Sequence, residues 1–407
     1  MTPRRALISG AGIAGPVLAY WLAEARWEVT VIERAANLRT SGYPVDIRGA
    51  AMEVVDRMGL SEQITANHYR HVPVDFLTPG GRRLSRVDLG RLANDPGDVE
   101  ITRGALTRVL VDAGADRVDY VFADTITALS PTDTGIDVTF GHRGPQTFDV
   151  VIGADGIHSN VRALAFGAEE QFLHHLGAYV GIWDMSNEMF PPATGYLYSH
   201  PGRTAIVERS ADDGPTRVFM TAVHSAPGTV NRHDVNGIVA ELRRAFAEDR
   251  WRTDELIDTL PTAEDLFFDT VSQIRMDRWS SGRVTLVGDA AYAPAFLSGQ
   301  GTSIAIAGAY VLASELARHD QPEAAFERYE RRLRDYVTRN QELALRTDST
   351  VLARTRGQLV RRNIMLRVLP WLQRHGLDRL LRTERRAAAT DLSLSAQDLH
   401  RCPSRQT

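Results

Sequence analysis

The stretch "ALISGAGIAGPVLAYWLAEARWEVTVIER" runs from Ala6 to Arg34, close to the start of the chain. A short apolar run, Ala6–Ser9, precedes a cluster of glycines, and apolar residues then recur at helical spacing over Ala14–Ala25. A second apolar run, Glu28–Ile32, ends at the acidic residue Glu33. This succession predicts a strand, a glycine-rich turn, a helix and a second strand parallel to the first.

The turn carries a GxGxxG pattern at Gly10, Gly12 and Gly15. Glycines let a backbone approach a pyrophosphate closely, and the N–H groups and dipole of the following helix stabilise its negative charge. Glu33 follows Gly15 by 18 positions, near the spacing of about 20 at which a carboxylate meets ribose hydroxyls. The stretch therefore predicts a dinucleotide site without distinguishing FAD from NAD.

The composition excludes several classes of chemistry. The 407-residue chain, which we expect to hold two or three domains, has no lysine, so Schiff-base catalysis and a P-loop are excluded. Its one cysteine, Cys402, excludes an internal disulfide, and the histidines show no metal-ligand spacing, so we predict no metal. A net charge of −4 argues against a nucleic-acid partner. With no convincing membrane span either, we predict a cytoplasmic protein.

Two further segments have the same strand–turn–helix character. The first, "VIGADGIHSNVR", covers Val151–Arg162, and the second, "LVGDAAYAPAFLSGQG", covers Leu286–Gly301. In the first, Asp155 or Ser159 can cap a helix, a structural role that is compatible with a place beside a cofactor. The helix that starts at the GQG sequence would present free N–H groups to an anion.

The three motifs, in this order, resemble those of the group A flavoprotein monooxygenases, typified by para-hydroxybenzoate hydroxylase. The chain is most similar to the single-component branch that includes tetracycline-inactivating monooxygenases, and the resemblance covers it up to about Leu316. It implies non-covalently bound FAD, with Asp289 accepting a hydrogen bond from the ribityl chain. The implied cofactor-binding positions are Gly10, Gly12, Ile13, Ala14, Gly15, Glu33, Arg34, Asp46, Arg103, Asp155, Asp289, Gly299, Gln300, Gly301 and Thr302.

The resemblance also implies a reaction. NAD(P)H, bound transiently because no second dinucleotide fingerprint is present, would reduce FAD, and O2 would add at C4a to give a hydroperoxide that hydroxylates a small aromatic substrate. The catalytic base stays open, with His224, Tyr196 and Tyr292 as candidates. Arg48 and Arg162 are candidates for contact with the nicotinamide phosphates.

The predicted fold class is α/β, with a Rossmann-type FAD-binding domain, an inserted antiparallel-sheet substrate domain and a C-terminal helical segment. The predicted boundaries are 1–70, 99–170 and 275–320 for the FAD-binding domain, 71–98 and 171–274 for the substrate domain, and 321–407 for the C-terminal helices and tail. The expected pocket residues on the sheet, which are alternatively ordinary core, are Tyr196, Tyr198, Phe219 and Met220. The arginine-rich tail, whose second helix we expect Pro370 to interrupt, either packs on its own domain or touches a membrane surface.

Three positions depart from the family pattern. Tyr292 stands where the family usually has histidine, Ala295 where a second proline is common, and Gly308 where an acid is usual. The alternatives left open are an FAD-dependent reductase or oxidase on the same fold, and a non-catalytic flavoprotein that sequesters an aromatic ligand. A flavin halogenase is disfavoured because the chain has no WxWxIP pattern. The substrate, the choice between NADH and NADPH, and the oligomeric state are not determined by the sequence.

Overall fold

The computed structural model describes most of the chain. The described residues are 3–38, 42–88, 97–186, 189–211, 214–224, 230–249, 251–263, 265–375, 392–394 and 399. The predicted tail therefore lies partly, and Cys402 wholly, outside the described residues.

The elements of the described residues are as follows. The strands are β1 Arg5–Ser9, β2 Glu28–Ile32, β3 Pro44–Ile47, β4 Val74–Leu77, β5 Arg83–Val87, β6 Val99–Thr102, β7 Val118–Val121, β8 Ile126–Pro131, β9 Ile136–Phe140, β10 Gln146–Phe148, β11 Val150–Gly153, β12 Leu173–Met185, β13 Thr194–His200, β14 Arg203–Arg209, β15 Thr216–Val223, β16 Phe267–Ile274, β17 Ser280–Ser281 and β18 Val284–Leu286. The helices are α1 Ala14–Glu24, α2 Ala50–Met58, α3 Ser61–Ala66, α4 Arg103–Asp112, α5 Asn160–Ala165, α6 Val235–Phe246, α7 Thr253–Asp258, α8 Asp289–Tyr292, α9 Gly301–Arg318, α10 Pro322–Val351 and α11 Arg356–Arg374.

A six-stranded sheet in the order β17-β18-β11-β1-β2-β7 forms the first layer. Strands β18, β11, β1, β2 and β7 are parallel, and only the edge strand β17 is antiparallel. Ala6, Leu7 and Ile8 are fully buried, as expected for a parallel strand that is covered on both faces. Helices α1 and α9 pack against one another beside this sheet. The Rossmann-type architecture predicted from the opening stretch is confirmed.

The second layer is a seven-stranded sheet in the order β16-β12-β15-β14-β13-β4-β5. All of its pairings are antiparallel except that of β13 with β4, which is parallel. The predicted antiparallel sheet is thus present, with one exception, which is possible because a long connection rather than a hairpin joins β4 to β13. Strands β4 and β5 fall within 71–98 and β12–β16 within 171–274, while the domain boundaries themselves stay a prediction.

Two smaller pieces and two long helices complete the described structure. Strands β3 and β6 form an antiparallel ribbon, and β8, β9 and β10 form a three-stranded meander. Helix α10 packs on α9, and α11 packs across β5 and β13. Pro370 lies within α11, which continues to Arg374, so the predicted interruption is not a break in the helix. Among the described helices, none has the length and apolar character needed to span a bilayer.

Candidate cofactor and substrate site

The glycine-rich turn is held by close backbone contacts. Gly10 has φ of 108°, and a Cβ at this position would lie 2.5 Å from the carbonyl oxygen of Ala154. A Cβ at Gly15 would lie 1.9 Å from the carbonyl oxygen of Gly10. At Gly12, by contrast, the nearest atom to an added Cβ would be a guanidinium nitrogen of Arg103 at 3.8 Å. Two glycines are therefore required by the protein itself, and the third leaves room for another molecule.

Two helix N-termini present unsatisfied donors in this region. The N-cap residues of α1 and α9, Ile13 and Gln300, make no side-chain capping hydrogen bond, and neither helix has an acid in its first turn. The Gln300 side chain is fully buried, yet its amide nitrogen and oxygen have no hydrogen-bond partner among the described residues. Because an unpaired buried amide is costly, a ligand that meets Gln300 and the helix N-termini fits this arrangement.

Glu33 braces the glycine turn from the end of β2. Its carboxylate accepts hydrogen bonds from the backbone N–H groups of Ala11 and Ala35, each at 2.9 Å. The side chain is half-buried, and a carboxylate has more acceptor positions than these two bonds use. Glu33 is therefore placed to accept further hydrogen bonds from ribose hydroxyls, whereas the neighbouring Arg34 is exposed.

Asp155 organises the start of α5. Its carboxylate accepts hydrogen bonds from the backbone N–H groups of Asn160 and Val161 at 2.9 and 3.1 Å, and from the Ser159 hydroxyl. Burial raises the pKa of Asp155, and these hydrogen bonds oppose the shift. Asp155 thus positions the second motif against the glycine turn, and its direct contact with FAD stays a prediction.

The structure contradicts the assignment of Arg162 and Arg48 to the nicotinamide phosphates. Arg162 is fully buried, and it donates to the Ala290 carbonyl at 2.9 Å and to the Glu169 carboxylate at 3.0 Å. Arg48 is 5% exposed and pairs with Asp46 at 2.8 Å. Arg162 joins the second motif to the third, and Arg48 is held between Asp46 and Asp98, so both side chains are turned into the protein rather than toward the surface.

The remaining polar residues converge from three separate motifs. The Arg103 side chain hydrogen-bonds to Tyr43 and is close enough to Asp289 and Glu33 to respond to their charges. Asp289 is accessible on one side and enclosed by protein on the others; burial raises its pKa and Arg103 opposes the shift. A Cβ at Gly301, the first residue of α9, would lie 3.7 Å from the Asp289 carboxylate. One surface therefore joins the glycine turn, the Asp289 turn and the GQG helix.

The ribbon of β3 and β6 meets the same helix start. A Cβ at Gly299, which has φ of 65°, would lie 3.2 Å from the Asp46 carboxylate. The hydroxyl of Ser303 donates to the Asp46 carbonyl at 3.2 Å and accepts from the Arg48 N–H at 3.0 Å. Of the predicted positions, Ala14 begins α1 and Thr302 is the second residue of α9. The predicted cofactor positions thus lie around one region of the fold.

Two departures from the family pattern compensate for one another. A Cβ at Gly308 would lie only 2.1 Å from the Tyr292 hydroxyl, so the tyrosine occupies the space that a side chain at position 308 would need. The Tyr292 hydroxyl is hydrogen-bonded to that of Tyr329 at 3.0 Å. Burial raises the pKa of Tyr292 to about 12. Tyr292 therefore packs behind the cofactor region, and its candidacy as a catalytic base is contradicted.

The seven-stranded sheet has two different faces. One face packs against helices α6 and α7 and carries Tyr196, Tyr198 and Met220. The prediction that these three line the substrate pocket is wrong, because they point away from the cofactor motifs. His224, a candidate base, is also on this side; its ring contacts that of Tyr179 at a tilt with centres 4.6 Å apart, and it lies 3.5 Å from Glu241.

The opposite face carries Phe219 and Phe267, and these two rings meet Tyr43, which precedes β3, and Phe296, which lies within the Leu286–Gly301 motif. We call Tyr43, Phe219, Phe267 and Phe296 the aromatic box. Phe296 contacts Tyr43 edge to face with ring centres 5.0 Å apart, and stacks on Phe219 and Phe267 at 5.9 and 5.8 Å. All four rings are only half-buried, as expected for residues that line a cavity. Sequence reasoning identified only Phe219, although the period-2 alternation of β15 separates it from Met220.

Two histidines, each held between two carboxylates, lie beside this face. His71 hydrogen-bonds Glu100 of β6 and lies 3.8 Å from Glu208 of β14. Burial opposes protonation of His71, but the two carboxylates outweigh it and raise the pKa of His71 to about 10. His158 lies between Glu169 at 2.9 Å and Asp269 at 2.8 Å. In the same way, burial lowers the pKa of His158 but the carboxylates raise it, to about 9.

These features define a class of protein. The parallel sheet, the glycine turn with its open third glycine, the unpaired Gln300 amide and the convergent Asp289 are those of an FAD-dependent oxidoreductase. Among the described residues, no group of acidic, histidine or cysteine side chains could hold a metal ion.

Comparison with known proteins narrows the class. The model of the FAD binding domain family matches residues 4–344. An uncharacterised protein of Mycobacterium tuberculosis is 39% identical over 343 residues, which are 83% of this chain and 91% of the relative. A flavin-dependent monooxygenase from an unknown prokaryote is 32% identical over 86% of this chain and 91% of the relative. The crystal structure of the tetracycline destructase Tet(55) superimposes with a TM-score of 0.83 at 28% identity, covering 97% of this chain and 98% of that one. The chain belongs to the family of FAD-dependent monooxygenases.

Proposed function

We propose that this monooxygenase hydroxylates a small aromatic substrate, phenolic or polycyclic, with NAD(P)H as electron donor and O2 as oxygen source. The observation that carries the proposal is the aromatic box, which lies between the sheet and the cofactor motifs. Aromatic rings bind other aromatic rings through offset-stacked and edge-to-face contacts, the geometries already present among the four side chains. The similarity to the tetracycline destructase Tet(55), whose name gives tetracycline as its target, favours a substrate of the size of tetracycline.

The cofactor positions follow from the fit described above. The N-terminus of α1 and Gly12 would hold the pyrophosphate, and Glu33 the ribose of the adenosine. Asp289 would accept a hydrogen bond from the ribityl chain, and the N-terminus of α9 with Gln300 would meet the flavin ring. FAD, when bound, supplies the activation of oxygen, which protein side chains cannot perform alone.

The chain itself would orient the substrate and exclude water. Ala178, Val180, Ile182 and Val271 form an apolar floor on the face that carries Phe219 and Phe267. Such a surface keeps water away from the reacting atoms. The Tyr43 hydroxyl and the Arg103 guanidinium, which are bonded to one another, supply polar atoms at the edge of the aromatic box. They can donate to a phenolic oxygen and so fix the orientation of the ring.

The test is a screen of phenols and polycyclic aromatic compounds with the FAD-loaded protein. A substrate should stimulate NADH or NADPH oxidation, and product formed under ¹⁸O2 should contain one labelled oxygen atom. NAD(P)H oxidation with no label in any product would instead favour a reductase or oxidase. Tight binding of an aromatic compound without any NAD(P)H oxidation would favour the sequestering flavoprotein.

Variants on the two faces of the sheet locate the substrate. Phe267→Ala should raise KM for the substrate about tenfold or more, since it removes a ring contact and its apolar area. Tyr196→Ala, a change of similar size on the helix-covered face, should leave KM unchanged. Equal KM values for both variants would contradict the placement of the substrate in the aromatic box.

A further inference from the structure

Helix α11 (Arg356–Arg374) has two apolar faces, and within the described part of the chain only one of them packs against the rest of the protein. On the inner face, Leu366 and Leu369 are 4% and 2% exposed and pack with Phe76 and Leu197 of the seven-stranded sheet. This contact buries the inner face in a small apolar core of its own. The apolar residues of the outer face are therefore not needed to attach the helix to the protein.

The outer face carries a continuous exposed stripe. Val360, Ile364 and Val368 are 57%, 58% and 44% exposed, and Met365 beside them is 39% exposed. Residues four apart lie one above another on a helix, so the first three form a single row. Isolated exposed apolar residues are ordinary, but a row of this kind marks an interaction surface.

The charge of the helix is all of one sign. Its charged residues are five arginines, with no acid, whereas the rest of the chain carries a net charge of −9. Three of these arginines, Arg356, Arg361 and Arg367, are exposed and border the stripe. Arginine can lay its aliphatic stem along an apolar surface and keep its guanidinium group at the level of polar headgroups.

We propose that the outer face of α11 docks on the surface of an anionic lipid bilayer, with the helix lying in the plane of the interface. An apolar row flanked by cations is the pattern that inserts shallowly among acyl chains while the cations bind anionic headgroups. The exposed arginines of α11 favour an anionic bilayer over a second copy of the chain, because a symmetric contact between two copies would place the same arginines against each other.

The docked helix would lie close to the proposed substrate site. Its inner leucines pack in the same cluster as Ile206, which is the direct cross-strand neighbour of Phe219 in the aromatic box. Docking would thus bring the aromatic box near a phase in which apolar aromatic compounds concentrate. The docking itself does not depend on the proposed reaction, and its test needs no turnover.

The experiment is co-sedimentation of the FAD-loaded full-length protein with vesicles. Phosphatidylcholine vesicles that contain phosphatidylglycerol should retain the protein, vesicles of phosphatidylcholine alone should not, and added NaCl should release it. Ile364→Gln combined with Val368→Gln should lower the partition coefficient about tenfold or more. Arg361→Gln combined with Arg367→Gln should lower it roughly fivefold for each charge.

The matched control is Leu164→Gln, which alters a residue that is 40% exposed on another part of the surface and should bind vesicles as the wild type does. Retained FAD shows that each variant is folded. If the variant with Ile364→Gln and Val368→Gln loses FAD, the variant with Arg361→Gln and Arg367→Gln and the salt dependence of wild-type binding test the proposal instead. Failure of the wild type to bind anionic vesicles would overturn the proposal. A dimer in sedimentation velocity that Ile364→Gln with Val368→Gln dissociates would also overturn it, and would assign the face to a second copy.

Discussion

The glycine turn and the seven-stranded sheet tolerate change in different ways. At the turn, backbone meets backbone, and a single added carbon at Gly15 would lie 1.9 Å from a carbonyl oxygen. In the sheet, side chains decide the outcome, and adjacent residues such as Phe219 and Met220 belong to opposite faces. The turn therefore holds one backbone geometry, whereas the sheet separates a face that packs against helices from a face that carries the aromatic box.

The largest effect should come from the turn. Gly15→Ala should yield a protein that does not retain FAD on purification, because the new Cβ overlaps the Gly10 carbonyl and neither backbone segment can move freely. Absorbance of bound flavin and the free energy of unfolding in urea are the measurements.

Gly12→Ala is the matched control for that change. Its Cβ would have 3.8 Å to the nearest atom, so the unfolding free energy of the apoprotein should change by no more than about 0.5 kcal/mol. FAD affinity should nevertheless fall, because the methyl group enters the space that we assign to the pyrophosphate. Unchanged FAD affinity would show that the cofactor does not approach this turn.

Substitutions on the two faces of the seven-stranded sheet should differ in how much stability they remove and in whether they weaken substrate binding. Trp183, fully buried on the helix-covered face, donates its indole N–H to Thr259 at 2.9 Å. Trp183→Ala should lower the free energy of unfolding by about 3–5 kcal/mol. Phe267→Ala should cost less than half as much, because Phe267 is only half-buried, while it weakens substrate binding. Comparable losses of stability would mean that the aromatic box is ordinary core.

A third test concerns the space shared by Tyr292 and Gly308. Gly308→Ala should destabilise the protein by about 1–3 kcal/mol, although alanine is normally favoured in a helix, because its Cβ would lie 2.1 Å from the Tyr292 hydroxyl. Adding Tyr292→Phe should recover part of the loss, since the nearest ring carbon then lies at 3.2 Å. Urea unfolding of the two single variants and the double variant measures the coupling. Simple additivity of the two changes would contradict the shared-space interpretation.

The parts of the site that follow from local sequence were predictable, and the parts that depend on distant contacts were not. Gly10, Gly15 and Glu33 lie within one strand–turn–helix–strand unit, whose spacing alone identifies it. Tyr43 precedes β3 of the two-stranded ribbon and Phe267 begins β16 of the seven-stranded sheet, and no local pattern relates the two residues. The misassigned residues of β13 and β15 have a simpler cause: alternation shows which residues share a face, but not which face meets the cofactor.

The same limit applies to the paired carboxylates. Glu100 and Glu208 are 108 residues apart in the chain, and only the fold places His71 between them. Likewise, Tyr292 and Gly308 each read as a departure from the family pattern, and their mutual compensation becomes visible only once the Cβ position at 308 is known.

The smallest effect should be a pH dependence of stability that arises where His71 joins the β3–β6 ribbon to the seven-stranded sheet. Because the pKa of His71 is raised from 6.5 to about 10, its contribution to stability is complete below pH 6.5 and is lost as the pH rises toward 10. His71→Gln should remove roughly 1 kcal/mol at pH 7 and nothing at pH 10.5. His142→Gln, at an exposed position, is the control and should change neither value. Since His158 shifts in the same direction, part of the pH dependence should survive His71→Gln, and a variant with both substitutions should lose most of the dependence between pH 7 and pH 9, where tyrosines do not yet titrate. A wild-type unfolding free energy that stays constant from pH 7 to pH 10 would show that neither histidine carries a charge between its two carboxylates.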